Sequence, residues 1–371
     1  MIPYVLLLLF VIIAFFYEQI LCSKTLAKKK DIYLIYLLVV LFATFMTGFR
    51  DMIGGYDIYI YASFFERVPT VSDFFSLKTL DRTLYLYFEP GYLFLNTLVK
   101  TISDDKYIFF LIAAIVSYSF ISKAIYRYPL ATFALFIFIS KFFIVGFVYT
   151  RQFIAMGIIW WAIQFLEQNN RIKFILASIV AVSIHVSSLI LFPIIFIYKC
   201  KFSKKALTFF FVVSLILGIT PFIKLAMDFA NQYLMISKID NYAEAEQTAF
   251  HIPYFIETSL FAIGLHRYRD KLYADSRYSV LMNLGVLYVV FSFLTLRDAG
   301  VVRLIWYYVI SYLVLVPYML NNFKKAKILV LGFVISYFSL VYLRNVIVRD
   351  GGNFIPYKAT FMDTKRVDKF E

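Results

Sequence analysis

Apolar runs, each about twenty residues and so long enough to cross the hydrocarbon of a bilayer as a helix, alternate with short charged segments along most of the chain. The pattern predicts spans at Ile2–Ile20, Asp31–Phe49, Lys106–Tyr126, Leu130–Tyr149, Gln152–Gln168, Ala206–Phe222, Ile252–His266, Tyr278–Leu296, Leu304–Leu320 and Ile328–Leu343. Two stretches fit less simply. Pro90–Ile102 is short for a span. Ile172–Tyr198 is long, with His185 and Ser187-Ser188 near its middle and Pro193 beyond, and reads as one tilted helix or as a broken, re-entrant pair. The expected fold is an all-α polytopic membrane protein of about ten to twelve transmembrane helices, with outer-face loops and amphipathic helices. No internal repeat or second domain stands out, so residues 1–371 read as a single integral membrane domain.

Composition supports lipid as the solvent. The chain is 62% hydrophobic and 16% charged, whereas a soluble domain is about 45–50% apolar and about 25% charged. Ile2–Tyr17 has no basic n-region before it and no small-residue cleavage site, which makes it a retained span rather than a signal peptide. The net charge of +14 does not point to nucleic acid, because the basic residues stand in short clusters between apolar runs. Cys22 and Cys200 lie at the ends of different spans and imply neither a disulfide framework nor a metal site.

The basic clusters set the orientation. Lys24 to Lys30, Lys199 to Lys205, His266 to Arg277 and Lys324 to Lys327 are all expected on the cytoplasmic side. The N-terminus, a first loop at 50–89, a second at 223–251 and the tail at 344–371 then face outward. An even number of crossings must separate Lys30 from Lys199. Either Pro90–Ile102 lies at the surface and Ile172–Tyr198 doubles back, or each crosses once. The first arrangement is preferred, since it puts Arg127, Arg171 and Lys173 inside and Arg151 outside.

The residues with chemistry gather at the outer helix ends. Arg50, Arg151, Arg297 and Arg303 oppose the usual inward bias of basic residues. A guanidinium fork matches phosphate oxygens bidentately, so a converging set would hold a diphosphate; lipid headgroup contact is the plainer alternative. Asp51, Asp57 and Glu89 are the acids of the first loop. Each could take a proton from a sugar hydroxyl or simply pair with an arginine. Glu89 before Pro90 also suits a helix start, and Gly54-Gly55 a tight turn. His185 is the odd histidine, set in an apolar run where ionisable groups face a cavity or a partner. Nothing shows metal-ligand spacing, a phosphate-cradling loop or a serine-nucleophile motif.

Taken in order, Phe49-Arg50-Asp51, Gly55-Tyr56-Asp57, Tyr61, Glu89-Pro90-Gly91-Tyr92, Arg151-Gln152-Phe153-Ile154-Ala155, His185-Val186-Ser187-Ser188-Leu189 and the late Pro356-Tyr357-Lys358 resemble the EpsG-like branch of the Wzy-type bacterial polysaccharide polymerases. The stretch Arg67–Phe88 departs from the pattern as a local elaboration. The resemblance implies a GT-C-like enzyme of the bacterial inner membrane with its active site toward the periplasm. Such an enzyme takes oligosaccharide repeats on undecaprenyl diphosphate, already flipped outward, and transfers the growing chain to the next unit. It uses no nucleotide sugar, cofactor or metal, and works beside a flippase and a chain-length regulator.

On that resemblance Arg50 and Arg151 are expected at the diphosphate with Arg303 as a third contact, and His185 or Asp57 as base. Glu89, Tyr56 and Tyr92 are expected to shape the sugar pocket. Asp51, Tyr61, Gln152, Arg297 and Lys358 are further substrate-binding candidates. Three other readings share part of this logic. A lipid-linked transferase would add single sugars, a ligase would carry its large outer loop late in the chain, and a flippase would favour mid-membrane charges and internal repeats.

Overall fold

The computed structural model describes residues 1–23, 29–76, 88–222, 225, 228–229, 252–297, 302–322, 327–348 and 354–362. They are helical almost throughout: α1 (Ile2–Ser23), α2 (Lys29–Gly48), α3 (Tyr56–Arg67), α4 (Val71–Ser76), α5 (Pro90–Ile102), α6 (Lys106–Tyr126), α7 (Ala131–Val148), α8 (Thr150–Glu167) and α9 (Arg171–Ile184). A 3-10 turn at Val186–Leu191 follows, then α10 (Ile194–Ile197), α11 (Lys204–Ile219), α12 (Ile252–Ala274), α13 (Ser276–Leu294), α14 (Val302–Ile305), a 3-10 turn at Trp306–Tyr308, α15 (Val309–Asn321) and α16 (Lys327–Ile347).

Seven helical stretches among the described residues are long and apolar enough to cross a membrane: those within α1, α2, α6, α7, α13 and α16, and the run from Val302 to Asn321. The chain is a multi-pass helical membrane protein. Three other expected spans form helices that do not meet both requirements. The first, α8, carries Arg151, Gln152, Gln164 and Glu167, and α11 is only 16 residues long. Polar residues from His266 to Lys271 load the last turns of α12. The long Ile172–Tyr198 stretch is broken: α9 ends at Ile184, and a 3-10 turn and the four-residue α10 follow. Most of the second loop expected at 223–251, with Asn231, Asp240, Glu244 and Glu246, lies outside the described residues, as do 77–87 of the first.

The helices form two compact units. The first comprises residues 1–162, 175–188 and 320–371. Its centre is α7, against which α1, α2, α3, α6 and α16 pack. This follows from sequence: α7 is apolar on every face, and a helix of that kind is stable when surrounded. Its span is 89% buried, against 17% for α16, which presents its apolar surface outward as a lipid-facing helix does. Glu18, carried on α1, accepts the Thr132 backbone N–H at 3.1 Å and the Thr132 hydroxyl at 2.5 Å. A buried carboxylate thus satisfies the N-terminus of α7, where it also complements the helix dipole. The second unit comprises 163–174 and 189–319. There α12 and α11 pack on α13, and buried Asn283 joins three groups. It accepts from Tyr273 at 2.7 Å and donates to Ile197 O at 2.6 Å and Cys200 O at 3.0 Å.

Candidate active site

In the first unit the motif Glu89-Pro90-Gly91-Tyr92 starts α5. Pro90 takes the first helical position, where a missing N–H costs nothing and its fixed φ suits the helix. Gly91 is required by contact. A Cβ there would meet Ser183 Oγ at 2.2 Å and the Ser183 carbonyl oxygen at 2.8 Å, so only glycine lets α5 begin against the end of α9. The inner side of α5 buries Tyr92, Leu93, Asn96, Thr97 and Val99, while Phe94, Leu98 and Ile102 form an exposed apolar stripe.

Glu89 occupies the position before the helix, yet its side chain makes no cap. Its Oε2 accepts from Arg151 Nη1 at 2.5 Å. Its Oε1 lies 3.2 Å from His185 Nδ1 and accepts the Val186 backbone N–H at 3.1 Å. The break in the Ile172–Tyr198 stretch explains the last bond. With α9 ended at Ile184, the chain turns into the 3-10 segment and frees the Val186 N–H for an outside acceptor. Burial opposes the carboxylate, but the His185 contact, the Arg151 charge and the Val186 N–H outweigh it, and hold the Glu89 pKa down at about 2.

Arg151 stands in the first turn of α8. Its guanidinium carbon lies 4.1 Å from the Phe88 ring centre, with Tyr92 at 5.6 Å and Tyr61 at 5.9 Å. Phe64 stacks on Tyr92 at 5.9 Å and meets Phe88 edge-on at 4.4 Å, so the aromatic wall is itself packed. The wall restricts water around the cation, which strengthens its pull on any anion that enters. Arg151 Nε is buried and has no hydrogen-bond partner among the described residues; the same holds for the hydroxyls of Thr150 and Ser188.

A second group lies where the chain leaves α2. Arg50 is fully buried, and its donors are turned inward: Nε to Ile53 O at 2.9 Å, Nη2 to Phe147 O at 3.0 Å, and Nη1 to Thr47 O. Its guanidinium also lies 5.2 Å from the rings of Phe110 and Phe147. The fork expected at a diphosphate is filled by three backbone carbonyls in this structure. The turn that follows is shaped for this. Gly55 has φ 66°, and a Cβ on Gly54 would lie 2.4 Å from the same Phe147 oxygen. Asp51 pairs with Lys358 Nζ at 2.8 Å and accepts from Tyr107 at 2.6 Å.

The cluster thus joins Glu89, Arg151, His185, Tyr61 and Tyr92 of the expected residues. Asp57 sits in the first turn of α3, one turn before Tyr61, and Tyr56 beside it is exposed. Gln152 is buried in α8. Arg297 and Arg303 belong to the second unit, where Arg297 donates to Ile219 O at 3.0 Å and Arg303 is exposed on α14. Phe88, Tyr107 and the Val186 N–H were not singled out from sequence. Phe88 adjoins a motif residue and Val186 lies within a motif, but an aromatic or an apolar residue carries no signal of such a contact in so aromatic a chain.

Fold and cluster together define a polytopic membrane protein with a cation, a carboxylate and an imidazole held at neighbouring helix starts and breaks. The chain belongs to the EpsG family, which it matches over residues 33–359, a family of polysaccharide polymerase-type membrane proteins. The match runs from within α2 to Ala359 and includes the whole cluster. No curated protein and no solved structure matches the chain.

Proposed function

We propose that this protein polymerises oligosaccharide repeats carried on undecaprenyl diphosphate, at the outer face of the bacterial inner membrane, into O-antigen or exopolysaccharide. The observation that carries the reading is the junction of Arg151 and His185 on Glu89 in a chain of the EpsG family. In the proposed reaction an acceptor sugar hydroxyl attacks the anomeric carbon of the growing chain. The new glycosidic bond forms as the bond from that carbon to the diphosphate oxygen breaks. The electron pair leaves with the lipid diphosphate, and the hydroxyl proton passes to His185. Arg151 offsets the charge that develops on the departing phosphate. The aromatic wall of Tyr61, Phe88 and Tyr92 suits both the cation and a sugar face. Asp57, in the first turn of α3, is the second candidate for the base.

The test is an electrophoretic profile of surface polysaccharide from a host lacking the gene and from the complemented host. Loss of the ladder to a core-plus-one-repeat band, restored on complementation, supports polymerisation and separates it from flipping, because that repeat has already crossed and been ligated. Loss of the single repeat as well would contradict it.

A further inference from the structure

The carboxylate of Glu89 is surrounded by donors. Arg151 Nη1 and the Val186 N–H have no other capacity than to donate, and an ionised carboxylate only accepts. The third neighbour, His185 Nδ1 at 3.2 Å, must then bring a hydrogen as well. A neutral imidazole carries a single N–H, so a proton on Nδ1 leaves Nε2 bare. His185 Nε2 has no hydrogen-bond partner among the described residues. The backbone fixes this arrangement from both sides. Pro90 and Gly91 seat Glu89 against the end of α9, and the helix break puts His185 and Val186 within reach of one carboxylate oxygen.

We infer that Glu89 is a positioning residue: it holds His185 as the Nδ1–H tautomer, with Nε2 presented as the proton acceptor, and ties that tautomer to the Arg151 guanidinium through its second oxygen. The role rests on His185 being the base of the proposed polymerisation. It differs from lining a sugar pocket, because Glu89 acts through His185 and not on substrate. When Nε2 takes the acceptor proton, the imidazolium that forms already has its counter-charge in place, and no group has to move to supply it.

The direct test reads the tautomer without reference to activity. Protein labelled with 15N histidine, with His251→Gln and His266→Gln to leave one signal, is examined by NMR in detergent micelles. The expected spectrum shows a protonated Nδ1 and a bare Nε2 for His185. Glu89→Leu should shift the ring toward the Nε2–H form. A spectrum with Nε2 protonated in this single-histidine protein, where Glu89 and His185 are intact, overturns the inference, and that reading does not depend on any Glu89 or His185 variant folding. Turnover of lipid-linked repeats in vesicles is the second readout. Glu89→Leu should lower kcat about 10²-fold or more, Glu89→Asp should recover part of it, and Glu89→Leu in a His185→Ala background should cost nothing further. A bare Nε2 together with full activity of His185→Ala would remove the base, and this role with it. An inactive His185→Ala with Nε2 protonated would leave the polymerase reading standing and remove the positioning role alone.

Discussion

Asp51 and Lys358 are joined twice: the Asp51 backbone N–H donates to the Lys358 carbonyl at 2.9 Å, and the two side chains pair at 2.8 Å. Arg50 and Ala359 form a β-bridge beside them, Thr360 N–H donates to Phe49 O at 2.9 Å, and Tyr357 donates to Met46 O at 3.0 Å. Tyr4 adds a bond to Phe354 O at 2.7 Å. Residues near the end of the chain are thus a strap across the exit of α2. Both charged partners are mostly buried, so the pair contributes more than a surface ion pair. Asp51→Asn and Lys358→Met should each lower thermal stability in micelles, with a coupling in the double variant of about 1 kcal/mol. Strict additivity would deny the link.

Arg50 should behave as a structural residue. Arg50→Ala leaves the carbonyls of Thr47, Ile53 and Phe147 without their donors in a buried place, which costs on the order of 3 kcal/mol. The yield of monodisperse protein should fall sharply. A well-folded Arg50→Ala protein that has lost only turnover would restore the diphosphate role.

Arg151 should behave as a functional one. Arg151→Ala should reduce polymer about 10²-fold or more while leaving insertion intact. Arg151→Lys should recover little, because a point charge reproduces neither the fork nor the stacking on Phe88. Equal ladders from the Arg and Lys forms would contradict this.

Gly91→Ala forces a methyl group into Ser183 and should cost about 1–3 kcal/mol. Polymer should drop in parallel, since Glu89 moves with the start of α5. Ser183→Gly in the same chain should recover part of both, read as melting temperature and ladder length. No recovery in either would place the effect elsewhere.

The Glu89 carboxyl has its pKa lowered from 4.5 to about 2 in the folded protein. A depressed value means that its contribution to stability is full above about pH 4.5 and is lost as the pH falls toward 2. Melting temperatures of wild type and Glu89→Gln should therefore differ at neutral pH, with a gap that narrows below about pH 4.5 and closes near pH 2. A gap that persisted unchanged to pH 2 would show that the difference does not come from this charge.

Much of this was legible in the sequence, and the reasons it stopped are physical. Apolar run length located most of the helices, and Glu89-Pro90 announced a helix start by the chemistry of its residues. For the long stretch the sequence left one tilted helix and a broken pair both open, and the break falls at His185. Of the two readings left open for the first-loop acids, pairing with an arginine occurs at Glu89, which takes Arg151, whereas Asp51 takes a lysine, Lys358; folding alone chooses these partners. Arg50 and Arg151 look alike in sequence, each at a helix end beside aromatic residues. One points its fork at three carbonyls and the other at a carboxylate, a difference set by where Phe147 and Glu89 lie in space. Polar residues share a helix with apolar ones in α8 and α12, so length and hydropathy alone do not mark those helices as spans.

The most direct measurement uses purified protein in vesicles with a lipid-diphosphate-linked repeat as the sole substrate and no nucleotide sugar. The wild type should yield a ladder of polymer with one lipid diphosphate released per bond formed, and His185→Ala, folded and inserted to the same extent, should yield none. A ladder of the same length and rate from His185→Ala, or no polymer from the wild type, would contradict the account.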